Sequence, residues 1–197
     1  MTLYCRAAIR EQHKHPTEGL IHSLLTAEID GARLSEEEVI ANCIVTMVGG
    51  QETTTNLIGN GLVTLLRHPE QMAKLAAENS LIVPAAEELL RYESPSQHTA
   101  RLERFPDPDR LDLERTDNRH LAFGWAAYFC FGAPLARMEG QIAFATLLRR
   151  LPQMKLSGAP LRWRENLGLR GLRSLPIQFQ AKLDGTSSAA PQLSTVS

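Results

Sequence analysis

Apolar residues recur along most of this chain at the spacing of one helical face, and that rhythm sets the expected architecture. Residues 3–13 predict a short helix, and a second helical stretch runs from Leu20 to Glu28. Asp30-Gly31 is a turn signal. Ser35-Glu36-Glu37-Glu38 has the form of a capping box, in which the serine hydroxyl accepts from a first-turn amide and Glu38 reaches back. One apolar face follows at Val39, Ile40, Cys43, Ile44, Met47 and Val48, and resumes at Leu57, Ile58, Leu62, Leu65 and Leu66. Read as one helix, it has about 30 residues and is roughly 45 Å long at ~1.5 Å per residue. Between the two halves lies GGQETTTN, residues 49–56, whose glycines, threonines and asparagine are poor helix formers. A kink or widened turn is expected there.

Pro69 opens a helix through Leu75 to Glu78, and Pro84 opens another through Arg91, which stops before Ser94-Pro95. From Gln97 to Arg119 prolines and charges replace the helical rhythm, which predicts an irregular surface segment. A helix is expected from about Ala133 to Leu151, with Leu135, Ile142, Ala145 and Leu148 as its apolar positions. Met154-Lys155-Leu156 and Leu175–Phe179 suit a small hairpin. The segment from Asp184 onward is expected to be a disordered tail, which leaves 1–183 as one domain. The fold class is therefore mainly α with a small β hairpin.

Composition narrows the function. At 197 residues, 43% hydrophobic and 22% charged, the chain is ordinary for a globular protein with a sizeable core. A formal charge of −1 points away from nucleic acid and anionic membranes as partners. No apolar run approaches the roughly 18 residues of a membrane span. The opening MTLYCRAAIREQHKHP lacks a signal-peptide core, so a cytoplasmic location is expected. Cys5, Cys43 and Cys130, without a CxxC, argue against a disulfide framework and against zinc.

Cys130 is the most informative residue. It sits in FGWAAYFCFGAPLARMEG, a loop that runs straight into the helix from Ala133. A thiol at a helix mouth lies at the positive end of the peptide dipole, near amides without intrahelical partners. That setting favours the thiolate, the form that acts as nucleophile or metal ligand. Gly124 and Gly132 flank it and allow tight turns and close approach of a flat group. Cys43, on the apolar stripe, reads as a core residue.

Three motifs in order resemble the cytochrome P-450 family of haem-thiolate monooxygenases: Gly49-Gly50-Gln51-Glu52-Thr53, Glu88-Leu89-Leu90-Arg91, and Phe123-Gly124 through Cys130 and Gly132. The resemblance spans roughly residues 17–180 and corresponds to the family's C-terminal half. It implies a long helix crossing the haem, a Glu-x-x-Arg helix, and a cysteine loop with its following helix. It makes Cys130 the iron ligand of haem b, with Phe123, Gly124 and Gly132 shaping the loop around it. Glu52 and Thr53 become the proton-relay pair, with Gly50 leaving room for dioxygen beside an opened helix turn. Glu88 and Arg91, three apart on one helix face, become a structural pair. Arg101 and His120 become candidate partners of the haem propionates. Electrons would come from NAD(P)H through a reductase and a ferredoxin-like donor; from their charge alone, Arg137, Arg149 and Arg150 are expected to face such an acidic partner. The product would be a small organic substrate carrying one inserted oxygen atom.

The chain also departs from the family pattern. Ala126 stands where a glycine is usual, and Tyr128 replaces an Arg or His that contacts a propionate. At Leu102-Glu103 the chain passes directly into ERFPDP, without the strands and helix the family places between, and no counterpart of the amino-terminal half precedes Met1. Two readings follow: a truncated monooxygenase, or a haem-binding or interaction remnant without turnover. A reactive-thiol enzyme using Cys130 as nucleophile is a third, with no partner identified to orient His120 as its base.

Overall fold

The structure, a computed structural model, describes residues 1–97, 105–180 and 194–196. The chain falls into two compact units, Met1–Glu52 and Thr53–Ser197. Their boundary falls inside the longest helix.

The first unit opens with α1 (Thr2–Lys14) and α2 (Leu20–Thr26). The Asp30-Gly31 signal proves to be the tip of a hairpin, β1 (Glu28–Ile29) and β2 (Ala32–Arg33), with Ile29 opposite Ala32. Both tip residues have positive φ, 52° and 79°, as a two-residue hairpin turn requires. The hairpin also explains why α2 stops at Thr26 instead of Glu28. α3 (Glu36–Arg67) starts at the expected capping box: the Ser35 amide and hydroxyl each donate to Glu38 Oε2 at 2.8 Å, and the Glu38 amide donates to Ser35 Oγ at 3.3 Å. Its first turns bury Val39, Ile40 and Cys43 against Cys5 and Ile9 of α1. Burial, and secondarily the nearby Cys5, pushes the Cys43 thiol up.

α3 is α-helical over 32 residues, including residues 49–56, so the expected widened turn is absent. Low propensity costs about 1 kcal/mol per glycine and less for the others. Burying Thr54, Asn56 and Leu57 at the end of that segment, with strong helix on both sides, outweighs it.

In the second unit α3 continues to Arg67, followed by α4 (Pro69–Ala77) and α5 (Ile82–Tyr92), with a 3₁₀ turn at Asn79–Leu81 between them. Pro84 lies within the first turn of α5, where its missing N–H forfeits no hydrogen bond. Leu65, Leu75, Leu81, Ala85, Leu89 and Phe144 form the main core. Leu111 and Leu113 join it, so the segment expected at the surface is anchored by two buried leucines.

α6 (Ala133–Arg150) buries Ala133, Gly140 and Phe144. Leu135 and Ile142, expected on its buried face, are 58% and 60% exposed. The reason is a close crossing with α3: a methyl on Gly61 would come within 2.4 Å of Phe144 Cζ, so the contact runs through Phe144 and small residues. The remaining chain forms an antiparallel sheet in the order β3 (Lys155–Leu156), β5 (Leu172–Gln178), β4 (Arg162–Trp163), with β6 (Ser194–Val196) also pairing with β5. β6 lies in the segment expected to be disordered. Its Thr195-Val196 pair is β-branched and meets an open strand edge.

Candidate functional site

Glu88 is the most heavily partnered carboxylate of the second unit. It is fully buried on α5, and Arg91 grips it in two places, Nε to Oε2 at 2.7 Å and Nη2 to Oε1 at 2.8 Å. Arg115 Nε adds a second guanidinium at 3.2 Å, Asn118 Nδ2 donates at 3.0 Å, and the Asp112 amide donates at 3.0 Å. The two arginines then spend their remaining donors on an irregular backbone. Arg91 reaches the carbonyls of Pro108 and Arg110, and Arg115 those of Pro106, Asp107 and Arg110. A segment with no ladder of its own has its carbonyls satisfied in this way. Arg115 and Asn118 were not singled out from sequence, because the residues that meet Glu88 lie far from it along the chain and follow no helical spacing.

One residue earlier, Glu87 makes a second network. Arg137 of α6 donates Nε to Oε1 at 2.7 Å and Nη2 to Oε2 at 3.0 Å, and His120 Nε2 lies 3.2 Å from Oε2. Burial opposes ionisation of Glu87, yet the hydrogen bonds from His120 and Arg137, with the Arg137 charge, prevail and hold its carboxyl at about 2. The Ala122 amide donates to His120 Nδ1 at 3.2 Å, which leaves Nε2 as the protonated nitrogen facing Glu87. Both ring nitrogens of His120 are thus engaged within the protein. Arg137, expected to face a redox partner, is tied to Glu87 and lies over the Phe123 ring at 4.6 Å. Arg149 and Arg150 are exposed.

Phe123 begins the cysteine loop. Gly124, at φ 78°, turns the chain so tightly that a methyl there would come within 2.6 Å of the Tyr128 carbonyl. A 3₁₀ turn, Ala126–Tyr128, follows, with Ala126 at φ 52°. The Cys130 amide donates back to the Phe123 carbonyl at 2.8 Å and closes the loop. The Cys130 carbonyl accepts from the Ala133 amide at the start of α6, and Gly132 has ordinary helical φ and ψ. Its missing side chain matters for another reason: a methyl there would touch the sulfur at 3.7 Å. Cys130 is exposed, and around it Trp125, Tyr128, Phe129 and Phe131 are each at least half exposed. An open cavity of about 520 Å³ runs beside the loop, between His120, Trp125, Phe129 and Arg137; Cys130 does not line it.

Gly50 and Glu52 fall in the first unit and Thr53 in the second. Gly50 is exposed on regular helix, so no opened turn accompanies it, while Glu52 and Thr53 are partly buried. Arg101 and the Leu102-Glu103 junction lie outside the described residues.

Comparison with known proteins settles the family. The cytochrome P450 family model matches residues 3–99. Cytochrome P450 107B1 of Saccharopolyspora erythraea is 40% identical over 210 residues, which take in 90% of this chain and 52% of that protein. The chain belongs to the cytochrome P450 family. The solved structure of the bacillaene polyketide synthase cytochrome P450 PksS of Bacillus subtilis superposes with a TM-score of 0.83 at 36% identity, over 89% of this chain and 54% of that one. Substrate-free CYP109E1 of Bacillus megaterium gives 0.85 at 32% identity, over 91% and 55%. The chain thus spans about half the length of the relatives it matches. The alignment with the Saccharopolyspora P450 also runs over more positions than this chain contributes, so that relative has residues with no counterpart here.

The residues present fit the P450 haem on one side. An exposed cysteine at a helix mouth, amid uncovered aromatic rings and beside a glycine that adds no side chain next to the sulfur, would suit a thiolate ligand to haem iron. For the carboxylate edge the described residues offer less: Tyr128 is 91% exposed and brings a phenol without positive charge.

Proposed function

We propose that this chain forms the haem-thiolate part of a P450-type monooxygenase, with Cys130 as the axial ligand of haem b. The observation that carries this reading is the exposed Cys130 sulfur, presented by a loop closed through the Phe123 carbonyl. Bound through a thiolate, haem supplies redox-active iron whose ligand favours O–O cleavage. Phe123 and the glycines at 124 and 132 shape the loop, and Arg101 with Tyr128 would meet the propionates. Thr53 and Glu52 hold and pass protons from α3. Glu88 and Arg91 keep the loop's supporting segment folded. Electrons reach the site from NAD(P)H through a reductase and a ferredoxin-like donor, and one oxygen atom enters a small organic substrate.

A second reading, a haem-binding remnant without turnover, is favoured by Ala126 at positive φ and by the uncharged, exposed Tyr128. One experiment addresses both. The purified chain is offered haem, reduced, exposed to carbon monoxide and scanned, with Cys130→Ala in parallel. A thiolate-type absorption band in the wild type that is lost in the variant is expected. Identical spectra from the two proteins would overturn the thiolate assignment. Product formation from an alkyl substrate then distinguishes the enzyme from the remnant.

A further inference from the structure

We propose that Glu87 is a positioning residue for the Cys130 sulfur, acting through Arg137 and Phe123. The inference rests on the haem-thiolate reading for its purpose, but its geometry stands alone. Three segments meet at this one carboxylate. It belongs to α5, takes both prongs of Arg137 from α6, and takes the ring proton of His120 from the stretch that leads into the loop. The Ala122 amide fixes the tautomer of His120, so the histidine presents a donor to Glu87.

From there a chain of contacts reaches the sulfur-bearing residue. With its fork held by Glu87, the Arg137 guanidinium sits over Phe123, 4.6 Å from the ring centre. The His120 ring flanks the same phenylalanine at 5.8 Å. Phe123 therefore packs against two groups that Glu87 gathers, and its carbonyl receives the Cys130 amide at 2.8 Å. The Phe123 ring in turn lies 6.4 Å from that of Phe129, the residue before the cysteine. Glu87 also keeps the Arg137 charge paired.

Glu88 does a different job nearby. Its partners, Arg91, Arg115, Asn118 and the Asp112 amide, hold the 106–118 segment. Adjacent carboxylates on α5 thus serve separate tasks: Glu88 holds the supporting segment, and Glu87 sets the loop.

The test uses Glu87→Gln, which keeps the side-chain shape and removes the charge, and Arg137→Lys, which keeps the charge and removes the fork. The first readout is made on the haem-free chain: the iodoacetamide alkylation rate of Cys130, followed by peptide mass. A change of about threefold or more in both variants is expected, with Cys5 and Cys43 unaffected, since both are buried in the first unit. The second readout is haem affinity and the carbon monoxide band. Affinity is expected to fall about tenfold or more, the scale at which outer-shell partners act on a metal ligand, with part of the band moved away from its thiolate position. Glu88→Gln serves as the control for a merely structural role, because it lowers stability without acting through Phe123. Wild-type alkylation rates in both Glu87→Gln and Arg137→Lys would overturn the proposal even if haem bound normally. Haem spectra independent of Cys130 would instead overturn the haem-thiolate reading and leave the alkylation result to judge Glu87.

Discussion

Ala126 is the residue whose chemistry and conformation disagree most openly. Its φ of 52° places a Cβ where an L-residue pays about 1–2 kcal/mol. Glycine would remove that strain and lose about 0.5–1 kcal/mol to the greater freedom of the unfolded chain. Ala126→Gly is therefore expected to raise stability by about 0.5–1 kcal/mol, read from the urea midpoint at constant slope. The position of strain was legible in sequence as a departure from a family pattern, although its φ was not. His120 teaches the converse. Its place just ahead of the loop marked it as a ligand contact, and only the fold reveals that Glu87 and the Ala122 amide already occupy both nitrogens.

At the scale of elements, local signals served best where the interaction is local. The Ser35–Glu38 box and the starts at Pro69 and near Ala133 follow from spacing and turn chemistry. Ser35→Ala should cost about 1 kcal/mol at the start of α3, measured as roughly fivefold faster amide exchange of its first turns. Sequence served worst where tertiary contacts override propensity. Residues 49–56 stay helical because Thr54, Asn56 and Leu57 are buried at their end. The inner face of α6 is Ala133, Gly140 and Phe144, chosen by what α3 admits, and Leu135 and Ile142 are left outside. The Glu88 partners Arg115 and Asn118 were invisible for the same reason.

For the molecule as a whole, the paired carboxylates set how folding responds to acid. Glu87 sits at about 2, below its usual 4.5, facing His120 and Arg137. A carboxyl depressed by folding stabilises the native state fully above its unfolded value, and that contribution disappears as pH falls through the folded one. The stability gap between wild type and Glu87→Gln is therefore expected to be constant above about pH 5 and to shrink from 4.5 toward 2. Chemical denaturation at a series of pH values checks this; a gap that does not narrow on acidification would place the stabilisation elsewhere. The exposed rings around Cys130, together with Leu135, Met138 and Ile142, belong to this scale too. A chain that spans half of its relatives' length displays apolar surface of the kind that marks an interaction site or an aggregation liability.

The Gly61 crossing has one last effect. The wall that bears Thr53 and the helix that continues from the sulfur loop lean on each other through a phenyl ring with no room for even one carbon more. Any larger residue at 61 would act as a shim, prying the two helices apart, so the spacing between them is written in a side chain that is not there.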